Sequence, residues 1–527
     1  MRDTMRFVFP ALCFSFLLYL CFFQVGNTDF WWHIKAGQLL RESGWIVTDP
    51  FAYTRAGEAY IANQEWLAQV ILSFVYDIAG SSGVIALRTI LIIVTFGVML
   101  LLDRQKAWIN TGLVLLAAIL ARPALTDRPQ LFTFLMFSLV VYLSLAYAEA
   151  KKSDQKKYTI VLPILFVVWS NLHGAAGLTG IAVLGALGIQ RMLGGADRKE
   201  IRALLLTGVL SCFALIATPT GLDNLGYAMT LMGDRTTELI AEWQSVSLGV
   251  YLKHVGIFWI IALLALWKGK RSLVFSVLVL FGIGYLSKSA LRHEVLFLIA
   301  ALGITIYQLK NTHAVALQRV TKHIVTFGLL LLLGCATYVQ TTKVDMRDNL
   351  FGFGEFTPLK GASEYIQEAG ITGNMFNNYN AGGELLFRGH KVFLDGRNLD
   401  YGYDYITRAL DAGESAAAWD LLSSEYNFTH AVVYYSLDPN AYIDILQQHP
   451  DWGLQYLDDW AAVYVKGEED TFTELTPNML LGTRMPEEIS LSNLQVLQDE
   501  VNSILETCPE CTKTSAYKKE MLRAFSE

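Results

Sequence analysis

The feature that most constrains this chain is a train of apolar runs filling residues 7 to 340. A helix that crosses a bilayer needs about 20 mostly apolar residues, because the hydrocarbon core is about 30 Å thick. On that measure the runs predict spans at 7–25, 83–102, 107–121, 130–149, 158–171, 174–190, 203–217, 249–267, 271–287, 294–309 and 324–340. Few charges fall inside them. Residues 66–80 are also apolar but carry Gln69 and Asp77, and are read as an interfacial or re-entrant helix following the first loop. Only 17% of all residues are charged, against about 25% in soluble proteins. The deficit lies in the apolar part, because the remainder has ordinary soluble composition. Run 7–25 is longer than the roughly 7–15 residues of a signal-peptide core and no small-residue cleavage site follows, so it reads as a signal anchor. A net charge of −7 argues against a nucleic-acid partner, which would want a basic stripe.

Orientation follows from Lys and Arg, which concentrate in cytoplasmic loops. With residue 1 inside, the inner segments hold Arg2, Arg6, Arg104, Lys106, Lys151, Lys152, Lys156, Lys157, Arg191, Arg198, Lys199, Arg202, Lys268, Lys270, Lys310, Arg319 and Lys322. The outer loops are longer in sum and less basic. Everything after residue 341 is then outside. The glycines Gly174, Gly177, Gly180, Gly185 and Gly188 are read as a helix-packing stripe, since small residues let helices approach closely in lipid. No strand precedes them and no phosphate-binding Lys follows, so they are not a nucleotide loop.

From about residue 355 the pattern becomes that of a soluble domain. Residues 359–369, 403–412, 416–426 and 440–448 predict helices, 373–377, 384–388 and 391–395 are short apolar runs, 431–436 is a buried strand, and 453–459 with 461–466 form a hairpin. The expected fold is therefore an α-helical polytopic membrane protein of about 11 spans with a C-terminal extracytoplasmic α/β domain. Its parts are a membrane domain over 1–340 with a first outer loop at 26–65, an α/β domain over 341–470, and a polar helical tail over 471–527. Cys508 and Cys511 form one C-x-x-C in that tail. A structural zinc site normally needs a second pair or histidines, so a local disulfide or free thiols is the better reading. Cys13, Cys21, Cys212 and Cys335 lie in apolar runs as small buried residues.

Chemistry-bearing residues gather in the outer loops. The first loop opens GNTDFWWHIKAG and closes ANQEWLAQV, placing Asp29 at the exit of the first span beside three aromatics and His33. An aromatic belt at the membrane edge would explain the Trp residues alone. An acid and a His among them point to a lined site, with a general base or metal ligand facing a lipid-borne substrate. The same face carries Asp49, Glu65, Asp127, Arg128, His173, Glu238, Glu242, Lys288, Arg292 and His293. Acids suit removal of a proton from an acceptor hydroxyl, while Arg and Lys suit a departing phosphate. Asp395, Arg397 and Asp400, in FLDGRNLDYG, read either as an acceptor grip or as loop closure after a strand, with closure favoured because Asp-Gly is a common turn pair.

These stretches, together with TDPFAYT at 48–54, DRPQLFTF at 127–134, WSNLHGAAGL at 169–178, LRHE at 291–294 and the runs 377–389 and 392–402, resemble the GT-C superfamily of membrane glycosyltransferases, and within it bacterial mannosyltransferase and lipopolysaccharide-sugar-transferase proteins. The resemblance covers about residues 1 to 466 and lies in the order of the motifs more than in any one of them. It implies a polyprenyl-phosphate sugar donor, a lipid, glycan or protein acceptor, membrane lipids around the chain, and an inner (cytoplasmic) membrane protein with a periplasmic C-terminal domain. It implies Asp29 as base or ligand and Asp127 as an assisting acid; from the outer-face residues themselves, Glu65 and His33 are expected in support, and Arg128, His173, Lys288, Arg292 and His293 toward the phosphate. Many members show two adjacent acids after the first span, whereas Asp29 is followed by Phe30. The cofactor is therefore unknown: a divalent cation is left open and no nucleotide cofactor is expected. A lipid or glycan transporter, with mid-span charges and internal repeats, and a non-catalytic assembly scaffold are the alternatives.

Overall fold

The computed structural model describes residues 2–310, 334, 352–437, 442–482 and 491–524. It divides into two compact units, one of Met1–Val25, Ala36–Arg41 and Asn63–Glu355, the other of Gly26–Lys35, Glu42–Ala62 and Phe356–Glu527. Most of the first outer loop thus folds with the C-terminal residues, although the sequence grouped 26–65 with the membrane domain.

The first unit is a helical bundle. Among the described residues, Ala62–Leu102, Gln130–Glu149, Gly174–Leu193, Leu248–Gly269 and Leu291–Leu309 are long and apolar enough to cross a membrane, and Pro10–Cys21, Asn110–Ala124 and Leu273–Ser289 are shorter apolar helices. Helix Lys152–Leu172 covers the run read as a span at 158–171, and Arg198–Ala214 covers that at 203–217 up to residue 214. The expected span 324–340, with Arg319 and Lys322, lies outside the described residues. Leu205 and Phe213 on Arg198–Ala214, and Ile260, Leu264 and Trp267 on Leu248–Gly269, are exposed. Apolar surface on this scale is unstable in water and is the normal outer face of a multi-pass membrane protein. The centre of the bundle is Glu294–Leu309, whose residues Val295 to Gln308 are all buried.

Helix Trp66–Gly97 leaves helical geometry at Gly80 (φ 56°, ψ −153°). Only glycine adopts that backbone without strain, and the break separates the segment expected at 66–80 from the run that follows. The glycine stripe packs in part. A side chain at Gly180 would strike Trp169 and Phe166, and one at Gly177 would strike Leu215, whereas Gly185 and Gly188 face open space.

The second unit is built on a four-stranded sheet, β1 (Asn374–Asn377), β2 (Phe428–Val433), β3 (Trp452–Leu457) and β4 (Ala462–Lys466), in the order β1-β2-β4-β3. Strands β1 and β2 run parallel, with Phe376 opposite Ala431, and the other pairs are antiparallel, with Val432 opposite Val463 and Leu454 opposite Tyr464. The hairpin turn is set by Asp458, whose Oδ1 accepts from the amides of Trp460 and Ala461. Phe376, Phe393, Trp419 and Phe428 pack in the core through tilted and edge-to-face ring contacts. Two apolar runs that the sequence left unassigned take different forms. Residues 384–388 fall in the helix Gly382–Phe387, where Glu384 pairs with Arg388 one turn on at 2.8 Å and accepts from the Leu359 amide. Residues 391–395 form no named strand, and Val392 instead bridges to Ala52 of the first loop.

The tail packs on this domain. Glu500, on Leu491–Thr507, accepts from the amides of Thr473, Glu474 and Leu475, and Asp459 accepts from those of Lys513 and Thr514 at the start of Thr512–Ala524. Cys508 and Cys511 form a disulfide in the turn between the two helices.

Candidate functional site

In the membrane unit the residues expected to share a polar face do converge. The Trp66 indole donates to Asn171 Oδ1 at 3.1 Å, and the Asn171 amide donates to the carbonyls of Val167 and Ala217. This fastens the start of Trp66–Gly97 to the end of Lys152–Leu172. The chain then turns at His173 and at Gly174 (φ +37°). His173 Nε2 comes to 2.9 Å from Glu65 Oε1, and its Nδ1 to 2.6 Å from Thr133 Oγ1.

A second group adjoins it. Glu242 accepts from Arg128 Nη1 at 3.1 Å, and Arg292 Nη1 stands 3.8 Å from its other oxygen. The Arg292 guanidinium lies 4.1 Å over the Trp243 ring, a favourable cation–π geometry. Lys288 holds the same loop through Ser245 Oγ and the Val246 carbonyl, and His293 meets Trp243 edge-on. Burial raises the Glu242 carboxyl, Arg128 and Arg292 lower it, and Glu65 raises it again. The two guanidiniums prevail, and Glu242 sits below the ordinary carboxylate range. Arg128 and Arg292 thus meet at Glu242, which also feels Glu65, while His173 joins the group through Glu65 and Lys288 through the loop at Ser245 and Val246.

Asp127 has a different environment. It is 2% exposed and its Oδ2 is 2.6 Å from Arg88 Nη1. Arg88 also donates to the carbonyls of Cys21 and Phe23, and Arg122 donates to that of Leu20. Both guanidiniums flank the Phe23 ring, at 3.4 and 3.6 Å. The unsatisfied carbonyls at the end of Arg2–Cys21 thus find cationic donors. Asp127, expected as an assisting acid, stands here as the counter-ion of Arg88 in this clamp. The missed signal was Arg88, a lone charge inside the run 83–102, which in a membrane segment implies a partner.

Asp29 and His33 lie in the other unit. Half-buried Asp29 precedes the helix Phe30–Ser43, and its Oδ1 accepts from Trp32 Nε1 at 3.3 Å. His33 is buried and its ring centroid is 3.6 Å from that of Trp32. Two glycines bring this turn against the C-terminal motifs, and a third packs those motifs on one another. A Cβ at Gly396 would fall 2.1 Å from Asp29 Oδ1, one at Gly383 2.1 Å from the Thr28 carbonyl, and one at Gly382 2.0 Å from that of Leu394. Next to Gly396, Arg397 is buried among carboxylates. Its Nη2 is 2.6 Å from Asp395 Oδ2, and its Nη1 is 2.6 Å from Asp49 Oδ2 and 3.2 Å from Asp400 Oδ2. Tyr401 OH donates to Asp395, Arg55 also faces Asp49, and the Asp49 Oδ1 caps the amides of Phe51 and Ala52. Two guanidiniums face three carboxylates; burial raises Asp400 to about 7 against the pull of Arg397, so the third charge is partly removed by a proton. In the FLDGRNLDYG motif, Asp395, Arg397 and Asp400 are tied to Asp49 of the first loop.

Among the described residues, no group of three or more His, Cys, Asp or Glu side chains could hold a metal ion.

No family description matches the chain, and no curated protein is similar to it in sequence. Solved structures are similar in fold. The oligosaccharyltransferase AglB from Archaeoglobus fulgidus, in complex with an inhibitory peptide and a dolichol-phosphate, superposes with a TM-score of 0.58 at 10% identity over 84% of this chain and 71% of that one. ArnT from Cupriavidus metallidurans superposes in its apo state with a TM-score of 0.53 at 14% identity, over 88% of this chain and 98% of that one. ArnT bound to undecaprenyl phosphate gives 0.52 at 13% identity, over 87% and 97%.

Proposed function

We propose, from the premise that this chain has the fold of the GT-C membrane glycosyltransferases, that it moves a sugar from a polyprenyl-phosphate-linked donor to a lipid, glycan or protein acceptor. The reaction takes place on the extracytoplasmic face of the inner membrane, with the N-terminus cytoplasmic and the C-terminal domain periplasmic. The observation that carries the reading is the pair Arg128 and Arg292 converging on one carboxylate, with the Glu65–His173 pair beside it, in a helical bundle. Two guanidiniums on a single anion, at the edge of a lipid-facing bundle, are what a lipid phosphate needs. The similarity to a dolichol-phosphate complex and an undecaprenyl-phosphate complex agrees with this.

The chemistry is a direct displacement. The acceptor oxygen attacks the anomeric carbon, the bond from that carbon to the phosphate oxygen breaks, and the polyprenyl phosphate leaves with the electron pair. Arg128 and Arg292 neutralise the charge that develops on the departing phosphate. Asp29 is the proposed base for the acceptor's proton, held in place by Trp32 and the Gly396 loop, with His33 in support. Replacing Asp29 by Asn should abolish transfer of a labelled sugar from a polyprenyl-phosphate donor while expression and folding persist. Full transfer in that variant would remove Asp29 from the mechanism. Uptake of label across the membrane with no covalent product would replace the transferase reading with a transporter.

A further inference from the structure

Thr133 and Trp169 stand behind His173, on helices Gln130–Glu149 and Lys152–Leu172. Both are buried. The Trp169 indole is 3.0 Å from Thr133 Oγ1, which is 2.6 Å from His173 Nδ1. On its far side His173 Nε2 is 2.9 Å from Glu65.

The hydrogens in this chain follow from counting donors. An indole N–H can only donate, so Thr133 Oγ1 must accept from Trp169. The hydroxyl has one hydrogen left to place, and His173 Nδ1 is its remaining partner among the described residues. If Nδ1 carried a proton, that buried hydroxyl hydrogen would lose its acceptor, which costs about 1–3 kcal/mol. With Nδ1 as acceptor, the proton of a neutral imidazole sits on Nε2 and points at Glu65. The opposite tautomer would set the Nε2 lone pair against the Glu65 carboxylate.

We infer that Thr133, oriented by Trp169, is a positioning residue that holds His173 as the neutral Nε2–H tautomer and so presents Glu65 as a charged, hydrogen-bonded carboxylate to the reaction. The pair then keeps one net negative charge opposite the arginines, where a doubly protonated imidazole would cancel it. The functional part rests on the proposed transferase reading; the tautomer does not.

The test separates the two. In full-length protein in detergent, labelled with ¹⁵N-histidine and with His173 assigned by its loss in His173→Gln, the His173 nitrogens should show the Nε2–H tautomer at neutral pH. Thr133→Val, which keeps the shape and removes the hydroxyl donor, should let Nδ1 take up a proton and shift the signal toward the doubly protonated ring, and Thr133→Ser should restore it. An Nδ1–H signal in the unaltered protein, or an unchanged signal in Thr133→Val, overturns the inference. In the transfer assay Thr133→Val should lower kcat about tenfold or more with KM for the polyprenyl-phosphate donor little changed, and Thr133→Ser should recover it. Equal kcat in Thr133→Val overturns the positioning role. If the tautomer behaves as stated but the unaltered protein transfers no sugar, the transferase reading fails and the hydrogen-bond assignment stands.

Discussion

The carboxylate of Asp29 occupies the space that a side chain on Gly396 would need, since a Cβ there would lie 2.1 Å from Asp29 Oδ1. Neither residue has meaning alone in the sequence. Asp29 closes a run at the first membrane exit, and Gly396 sits in the middle of FLDGR several hundred residues later. Their contact predicts that Gly396→Ala is a remote version of an Asp29 substitution. The added methyl must push the carboxylate or the Gly396 loop aside, costing about 1–3 kcal/mol. Sugar transfer should fall with it, whereas Asp29→Asn should lose transfer and leave the thermal midpoint nearly unchanged. If Gly396→Ala transfers sugar at the normal rate, the position of Asp29 is immaterial to the reaction.

Glu242 occupies both arginines that the proposed phosphate would use. In the absence of substrate it is an internal anion, and a phosphate must displace it. Glu242→Gln should therefore bind undecaprenyl phosphate more tightly, by about tenfold, or roughly 1.4 kcal/mol. Quenching of tryptophan fluorescence on titration with undecaprenyl phosphate would measure it, since Trp243 is stacked on Arg292. Weaker binding would mean that Glu242 holds the arginines in place for the ligand.

The helices of the bundle were legible because lipid imposes one simple rule, a run of apolar residues of fixed length, and each run from 83 to 309 has its helix. The converging cluster was legible for a related reason: charges cannot stay in hydrocarbon, so they collect at the loops, and topology put Glu65, Arg128, His173 and Arg292 on one face. What could not be read was pairing. Asp127 and Arg128 are adjacent in sequence, yet one is buried on Arg88 and the other meets Glu242. A step of one residue at a helix entrance reverses the direction of a side chain, and nothing in composition reports it. The run 384–388 was likewise ambiguous, since five apolar-rich residues suit either a buried strand or a short helix. It is the Glu384–Arg388 pair, one helical turn apart, that marks the helix.

Arg397 is the charge on which the first-loop segment and the C-terminal motifs of the second unit are closed together. Arg397→Leu would leave Asp49, Asp395 and Asp400 facing one another in a buried site, with Arg55 touching only Asp49. Loss of one partner from such a network costs about 3–5 kcal/mol, so this variant should unfold at markedly lower denaturant or fail to accumulate. Retention of the parental unfolding midpoint would show that the carboxylates are neutralised from elsewhere.

The same network carries a pH signature. Asp400 is raised from 3.8 to about 7, by burial against the pull of Arg397. A carboxyl raised on folding is protonated in the folded chain while the unfolded chain has already ionised. Its contribution to stability is therefore complete below about pH 4, declines as pH rises, and is gone above about 7, with a slope of at most about 1.4 kcal/mol per pH unit. Glu384, raised to about 7 by burial, and Asp458, raised to about 6, act in the same direction, and His430, lowered to about 4 by burial, acts in the opposite one. Comparison with Asp400→Asn isolates the one group. The stability of the parent relative to the variant should fall between pH 4 and 7 and stay constant above, measured by denaturant unfolding at each pH. A difference independent of pH over that window would mean that Asp400 is ionised throughout.

The Cys508–Cys511 disulfide bears on orientation. Disulfides persist outside the cytoplasm and are generally reduced within it, so the proposed periplasmic C-terminal domain predicts that this bond is closed in cells. The peptide spanning residues 508–511, recovered after trapping with a thiol reagent in whole cells, should carry no label without prior reduction. The ring is small, so loop-closure entropy assigns the bond only about 2 kcal/mol. Asp459, which holds the start of Thr512–Ala524 through the Lys513 and Thr514 amides, remains after reduction. Double Cys→Ser substitution should therefore speed amide exchange in Leu491–Thr507 and Thr512–Ala524 while leaving β2 and β4 protected. Full labelling of both cysteines in unreduced cells would place this domain in the cytoplasm, and the face assigned to the sugar transfer would have to be reversed with it.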